Sequence, residues 1–145
     1  MFDPDSFLQS TQTEAFDTKY TPIPNGEYIA VLDRIDKPRT AKDSVVWDLH
    51  WLIDDSNLKA QMGREKITAR QSLFLDVTPE GRLDVSKGKN VQLGKLRDAL
   101  GQNTPGQAWS PSMMQGKAAK IRITQKVRSD GSGDIDSNVT GVAAL

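Results

Sequence analysis

Phe74 is the side chain of this sequence whose type and setting could do the most chemistry. In REKITARQSLFLDV (64–77) Ile67, Ala69, Leu73, Leu75 and Val77 share one face of an alternating pattern. Lys66, Thr68, Arg70, Ser72 and Phe74 share the other. A large aromatic ring among cations on a polar face can stack on a base while the cations meet phosphate. Lys120, Arg122 and Lys126 form a second outward row in AAKIRITQKV (118–127), with no acid in it. Arg39 and Lys42 fall in the polar segment PRTAKD (38–43), and Arg128 opens the Gly-rich segment that follows residue 127. Together these nine residues form a candidate contact set for single-stranded nucleic acid, where each stacked base contributes ~1–3 kcal/mol and each phosphate contact adds salt-sensitive affinity. The plainer alternatives are that Phe74 packs under a loop or in an oligomer interface, and that the cationic rows are solvated faces.

Other chemistries lack their parts. There is one histidine, His50, and no cysteine, so neither a thiolate nor a clustered zinc site can form. His50 falls on an outward strand face, to meet solvent or nucleic acid. Asp54-Asp55 sits in a turn-like stretch, and Gly131-Ser132-Gly133 is too short for a phosphate-cradling loop followed by a helix. No nucleophile elbow, P-loop or kinase phrase occurs. Neither enzymatic activity nor a cofactor is expected. Trp47 and Trp51 alternate with Val45, Leu49 and Ile53, which assigns them to a core. Tyr28, in step with Ala30 and Leu32, belongs there too. Trp109, in an irregular stretch, either caps the core or stacks.

The elements that must position these residues follow from pattern and punctuation. Residues 1–25 read as a lead-in: Asp5 or Ser6 can cap a short helix, and Pro22 and Pro24 enforce extended chain. GEYIAVLDRI (26–35) is the first strand, residues 38–43 a loop, and SVVWDLHWLID (44–54) the second strand. Residues 54–63 read as a turn-rich connection, and residues 64–77 as the third strand. After a loop at 78–90, Asn90 caps a helix over 91–100 with Leu93, Leu96 and Leu100 as its apolar stripe, ended by Gly101. Residues 118–127 form the fourth strand, with Ala119, Ile121, Ile123 and Val127 inward. Residues 129–134 are a hairpin tip and 135–144 the fifth strand. Three strands, a helix and two strands make a mainly β fold, a five-stranded OB-fold barrel with one helix between strands three and four. Another small barrel or sandwich with a packed helix is the alternative topology.

The chain has 145 residues, enough for one domain (lead-in 1–25, barrel 26–144) with its own core. It carries 19 basic and 19 acidic residues, so its formal charge is zero, which argues against a uniformly basic nucleic-acid binder. The distribution is uneven. Residues 1–17 hold Asp3, Asp5, Glu14 and Asp17 and no base, while residues 117–128 hold five bases and no acid. A local positive surface can attract phosphate at zero net charge. No apolar run is long enough to span a membrane, and the acidic start is unlike a signal peptide, so a cytoplasmic protein is expected. Phe2, Phe7, Leu8 and Phe16 among the acids suit either docking on a neighbouring subunit or replication partner, or packing on the chain's own barrel.

Several phrases, in order, resemble a family of small phage-encoded single-stranded-DNA-binding proteins first catalogued as a domain of unknown function. They are Pro24 to Ala30 with its Gly-Glu-Tyr; Leu49, Trp51 and Ile53 followed by Gly63-Arg64; and Leu93, Leu96 and Ala99-Leu100-Gly101. Gly116-Lys117 before Ile121 and Ile123, and Asn138-Val139-Thr140-Gly141, complete the series. The resemblance spans about residues 24–142 and lies in the order of the phrases rather than in any one. It implies an OB-fold that holds single-stranded DNA in phage replication or recombination, without enzymatic activity, in the host cytoplasm. Many replication proteins of this kind end in an acidic tail that recruits partners; this chain ends Gly141-Val142-Ala143-Ala144-Leu145, so recruitment of replication or recombination proteins through such a tail is not expected. Exposed strand edges leave a homodimer open. The alternative function, favoured by the neutral charge, is a protein-interaction module, a phage accessory or structural protein on the same barrel.

Overall fold

The alternation centred on Trp51 places the core inside a closed ring of strands. A computed structural model describes all 145 residues. Its strands are β1 (Gly26–Ile35), β2 (Arg39–Ala41), β3 (Ser44–Ile53), β4 (Thr68–Leu75), β5 (Ala118–Val127) and β6 (Ile135–Ala143). Its helices are α1 (Pro4–Phe7), α2 (Ser56–Met62) and α3 (Val91–Ala99), with a 3-10 turn at Pro111–Met114. β1 closes the ring by pairing twice: Gly26–Val31 lies antiparallel to β5, and Ala30–Ile35 antiparallel to β3. The register shift between Leu32 and Arg34 bends the strand from one partner toward the other. β3 pairs with β4 and β5 with β6, both antiparallel. A parallel contact of β4 with β6, at Arg70 and Asn138, completes the circuit β1-β3-β4-β6-β5. With α3 between β4 and β5 this is the OB-fold order.

Inward residues of all five ring strands form one cluster with Ile23, Leu58, Leu93, Leu96 and Met114. Trp47 and Trp51 belong to it, and Tyr28 packs against it with its hydroxyl donating to the Pro24 carbonyl. Gln71 is the polar member of β4's inward row, and its Oε1 accepts the Trp51 indole N–H at 2.9 Å. That bond lets a large aromatic with a polar edge be fully enclosed.

Several local expectations are corrected. Residues 38–43 are not all loop: Arg39–Ala41 pairs with β3 as β2, outside the ring, through a two-residue turn with Lys42 at φ 57°. Residues 54–63 contain α2, capped by Asp55 accepting from the Leu58 N–H and closed by Gly63 at φ 64°, so that Leu58 is buried. A seven-residue helix with one inward residue leaves too little periodicity to read. The third strand starts at Thr68 rather than residue 64. Asn90 does not cap α3: it has φ 51°, and its side chain binds Asp76 N, Asp76 O and Asp84 O. It ties together the loop after β4 instead. α1 is capped by Asp3, not by Asp5 or Ser6. Val127 is exposed, because β5 and β6 continue as a hairpin past Ile123, where the pairing of β5 with β1 ends. The lead-in does not pack on the barrel as a whole. Ile23 is buried and Lys19 reaches Asp134, but residues 1–21 are exposed.

Candidate nucleic-acid interface

Strand pairing puts successive rows of side chains across the outer face of β3 and β4. Arg39, Val46 and Phe74 form one row, Asp48 and Ser72 the next, and His50 and Arg70 the third. Phe74 is 71% exposed at the end of β4, beside the buried Val46. Arg70 lies four residues back on the same face, about 13 Å along the strand, and forms no ion pair within 4.0 Å. Lys66 also lacks such a partner, and it lines a shallow polar depression with Asp33, Arg34, His50 and Thr68. The face is flanked by the β2–β3 hairpin, which carries Lys42, and by the β5–β6 loop. Those are the two connections by which OB-folds grip oligonucleotides. Lys42 holds a left-handed conformation that glycine or asparagine would adopt more readily, so its side chain is presented at a cost in local strain.

The nine candidate residues do not form one surface. Lys42, Lys66, Arg70 and Phe74 belong to the β3–β4 side. Lys120, Arg122 and Lys126 stand on β5, which in the ring touches only β1 and β6 and so faces away from the β3–β4 pair. Arg122 also lies 3.4 Å from Glu27. Arg39 and Arg128 are on the expected loops but already engaged. Arg39 Nε donates to Asp48 Oδ2 at 3.0 Å, and Arg128 grips Asp136 through Nε and a terminal nitrogen at 2.9–3.1 Å. The Arg128 guanidinium holds the Asp136 carboxyl below the usual carboxylate range. A period-2 pattern shows that a cation points outward; it does not show which acid the neighbouring strand brings to it.

Tertiary structure adds residues that spacing did not single out. Where β4 and β6 meet at a single pair, the extended segment 18–23 runs alongside and leaves a groove of about 280 Å³. Tyr20, 92% exposed, shares this groove with Arg64, Arg70 and Arg128. Arg34 joins His50: His50 Nε2 lies 2.8 Å from Asp36 Oδ2 and 3.0 Å from an Arg34 nitrogen. The hydrogen bond to His50 lowers the Asp36 carboxyl from its ordinary value. The signal for Arg34 lay in residues 34–42, where Arg34, Lys37, Arg39 and Lys42 stand against Asp36 alone; Tyr20 had none. Trp109 is half-buried, its indole N–H donating to Gln102 Oε1 and its ring covered by Arg97 at 4.0 Å, which removes it from the stacking candidates.

Asp48 is the buried charge of this face. Ser72 Oγ donates to it at 2.6 Å and Arg39 at 3.0 Å. The Ser72 bond first, and then Arg39, hold its carboxyl below the usual range against the opposing push of burial. Because the folded-state value is depressed, the stabilisation is complete above the ordinary carboxylate value near pH ~4 and disappears as pH falls through the lowered one. Asp48→Asn is expected to cost about 1–2 kcal/mol at neutral pH. Urea unfolding should show the gap between the two proteins closing below about pH 4.

No group of three His, Asp or Glu side chains is placed to hold a metal ion. No helix is long and apolar enough to cross a membrane. No family model and no curated protein matches the chain.

Proposed function

We propose that the β3–β4 face binds single-stranded DNA, largely without sequence preference. The observation that carries this reading is Phe74, an exposed aromatic ring in line with the unpaired cations Arg70 and Lys66 on the face that OB-folds use. Bases stack on Phe74, and Tyr20 offers a second ring at the other end of β4. Phosphates meet Arg70, Lys66 and Lys42. The setting, on this reading, is phage replication or recombination, and neighbouring genes for a polymerase, helicase or exonuclease would support it.

Titration of oligo-dT at two salt concentrations tests the reading. Binding should be tight at low salt, weaken as salt rises, and be poor for duplex; no binding at low salt would end it. The slope of log affinity against log salt separates the two basic rows. Arg70→Gln is expected to reduce the slope by about 0.7, the loss of one phosphate contact. Arg122→Gln, on the opposite side of the ring, should leave it unchanged. Equal slopes for wild type and Arg70→Gln would remove Arg70 from the interface.

The zero net charge favours a second reading, a protein-interaction module on the same barrel. It predicts a stable protein complex and no quenching of tryptophan fluorescence by oligo-dT.

A further inference from the structure

The N-terminal arm leaves the barrel at one end, and an apolar groove complementary to it opens at the other. Residues 1–17 contain four acids and no base. They expose Phe2, Phe7, Leu8 and Phe16. Their hydrogen bonds are local to the arm, and Phe2 and Phe7 touch only each other as rings. The arm is rooted where Lys19 meets Ser132 and Asp134 and where Ile23 enters the core, at the end of the barrel where β4 and β6 begin. At the other end, past the last residues of β1 and β4, lies an open groove of about 530 Å³. Ile35, Trp47, Leu75, Val77 and Leu83 line it together with Asp36 and Lys37. Asp36 is already paired with Arg34 and His50, and Arg39 of the β2–β3 hairpin with Asp48, which leaves Lys37 and Lys42 as cations without an ion pair there, Lys42 standing next to Asp43. One chain therefore carries both an acidic segment with exposed apolar side chains and an apolar groove with two lysines free of ion pairs near it.

We propose that the N-terminal arm of one copy of this chain docks into this groove on a second copy. Phe7 and Leu8 fill the groove, and Asp3 and Asp5 lie toward Lys37 and Lys42. From Phe7 to Lys19 the extended chain spans about 40 Å, enough to cross to a neighbouring barrel. In the single chain the arm is undocked and the groove is open, so both are available between copies. Because the arm's root and the groove occupy opposite ends of the barrel, the contact is head to tail, and such contacts build rings where the rotation closes and open chains where it does not. The exchange needs no DNA; of its contacts only Lys42 also belongs to the proposed DNA face.

Sedimentation of the full-length chain without DNA tests it. The wild type should show a weight-average mass that climbs with concentration past the dimer. An arm variant (Phe7→Asp with Leu8→Asp) and a groove variant (Val77→Glu) should each remain monomeric. All three positions are exposed, so unchanged thermal melting is expected to show intact folds. Mixing the two variants is the decisive arm. The groove variant still has a working arm and the arm variant a working groove, so the mixture should form one-to-one dimers and nothing larger. A wild type that is monomeric at every concentration, a mass that plateaus at the dimer, or a mixture that fails to pair would each overturn the proposal.

Discussion

Phe74→Ala is expected to weaken oligo-dT binding roughly 5- to 150-fold, the ~1–3 kcal/mol of one stacked base. The ring is 71% exposed, so little burial is lost with it. Its unfolding midpoint should therefore stay close to wild type, with a change within about 0.5 kcal/mol. That separation of affinity from stability tells stacking from packing. Under a loop or in the core, the same truncation would lower stability and affinity together. Phe74→Leu sharpens the test, since it keeps apolar area but removes the flat π-face and should recover only part of the loss. Phe74→Trp should bind at least as well as wild type. Fluorescence anisotropy with a labelled oligo-dT measures all three, and an unchanged affinity for Phe74→Ala would remove stacking at this position.

Trp51 is expected to behave in the opposite way. It is fully buried, and its indole N–H satisfies Gln71 Oε1 inside the barrel. Trp51→Ala should cost about 3–5 kcal/mol from lost burial and the cavity left behind. That is a large part of the total stability of a domain, about 5–15 kcal/mol. Trp51→Phe fills most of the space but leaves the Gln71 oxygen without its donor, which costs about 1–3 kcal/mol. Adding Gln71→Met to Trp51→Phe removes the stranded oxygen, so the pair should be more stable than Trp51→Phe alone. Urea unfolding reads these differences. A Trp51→Phe protein with wild-type stability and weakened oligo-dT binding would instead place this ring among the stacking groups.

Both predictions turn on which side of a strand a side chain occupies, and that much was legible in the sequence. Side chains alternate across a strand, so a run such as Trp47, Leu49, Trp51 and Ile53 reports its own burial. The order of strands around α3 was legible for a similar reason, since glycines and polar loops punctuate the apolar runs. Short elements were not: β2 has three residues and α2 buries one, too few to show a period. Asn90 misled because its side chain had a better set of partners across the loop, Asp76 and Asp84, than at the helix end.

The sequence by itself determined the strand faces, the barrel's element order, the outward position of Phe74 and the uneven spread of charge. Only the tertiary structure decided that the two basic rows stand on different sides of the ring, because strand adjacency depends on how the barrel closes. It alone paired Arg39 with Asp48 and Arg128 with Asp136, brought Tyr20 into one groove with Arg70, and set the root of the acidic arm and the apolar groove at opposite ends of the barrel. These are contacts between residues far apart in the chain or on different strands, and local periodicity carries no information about them.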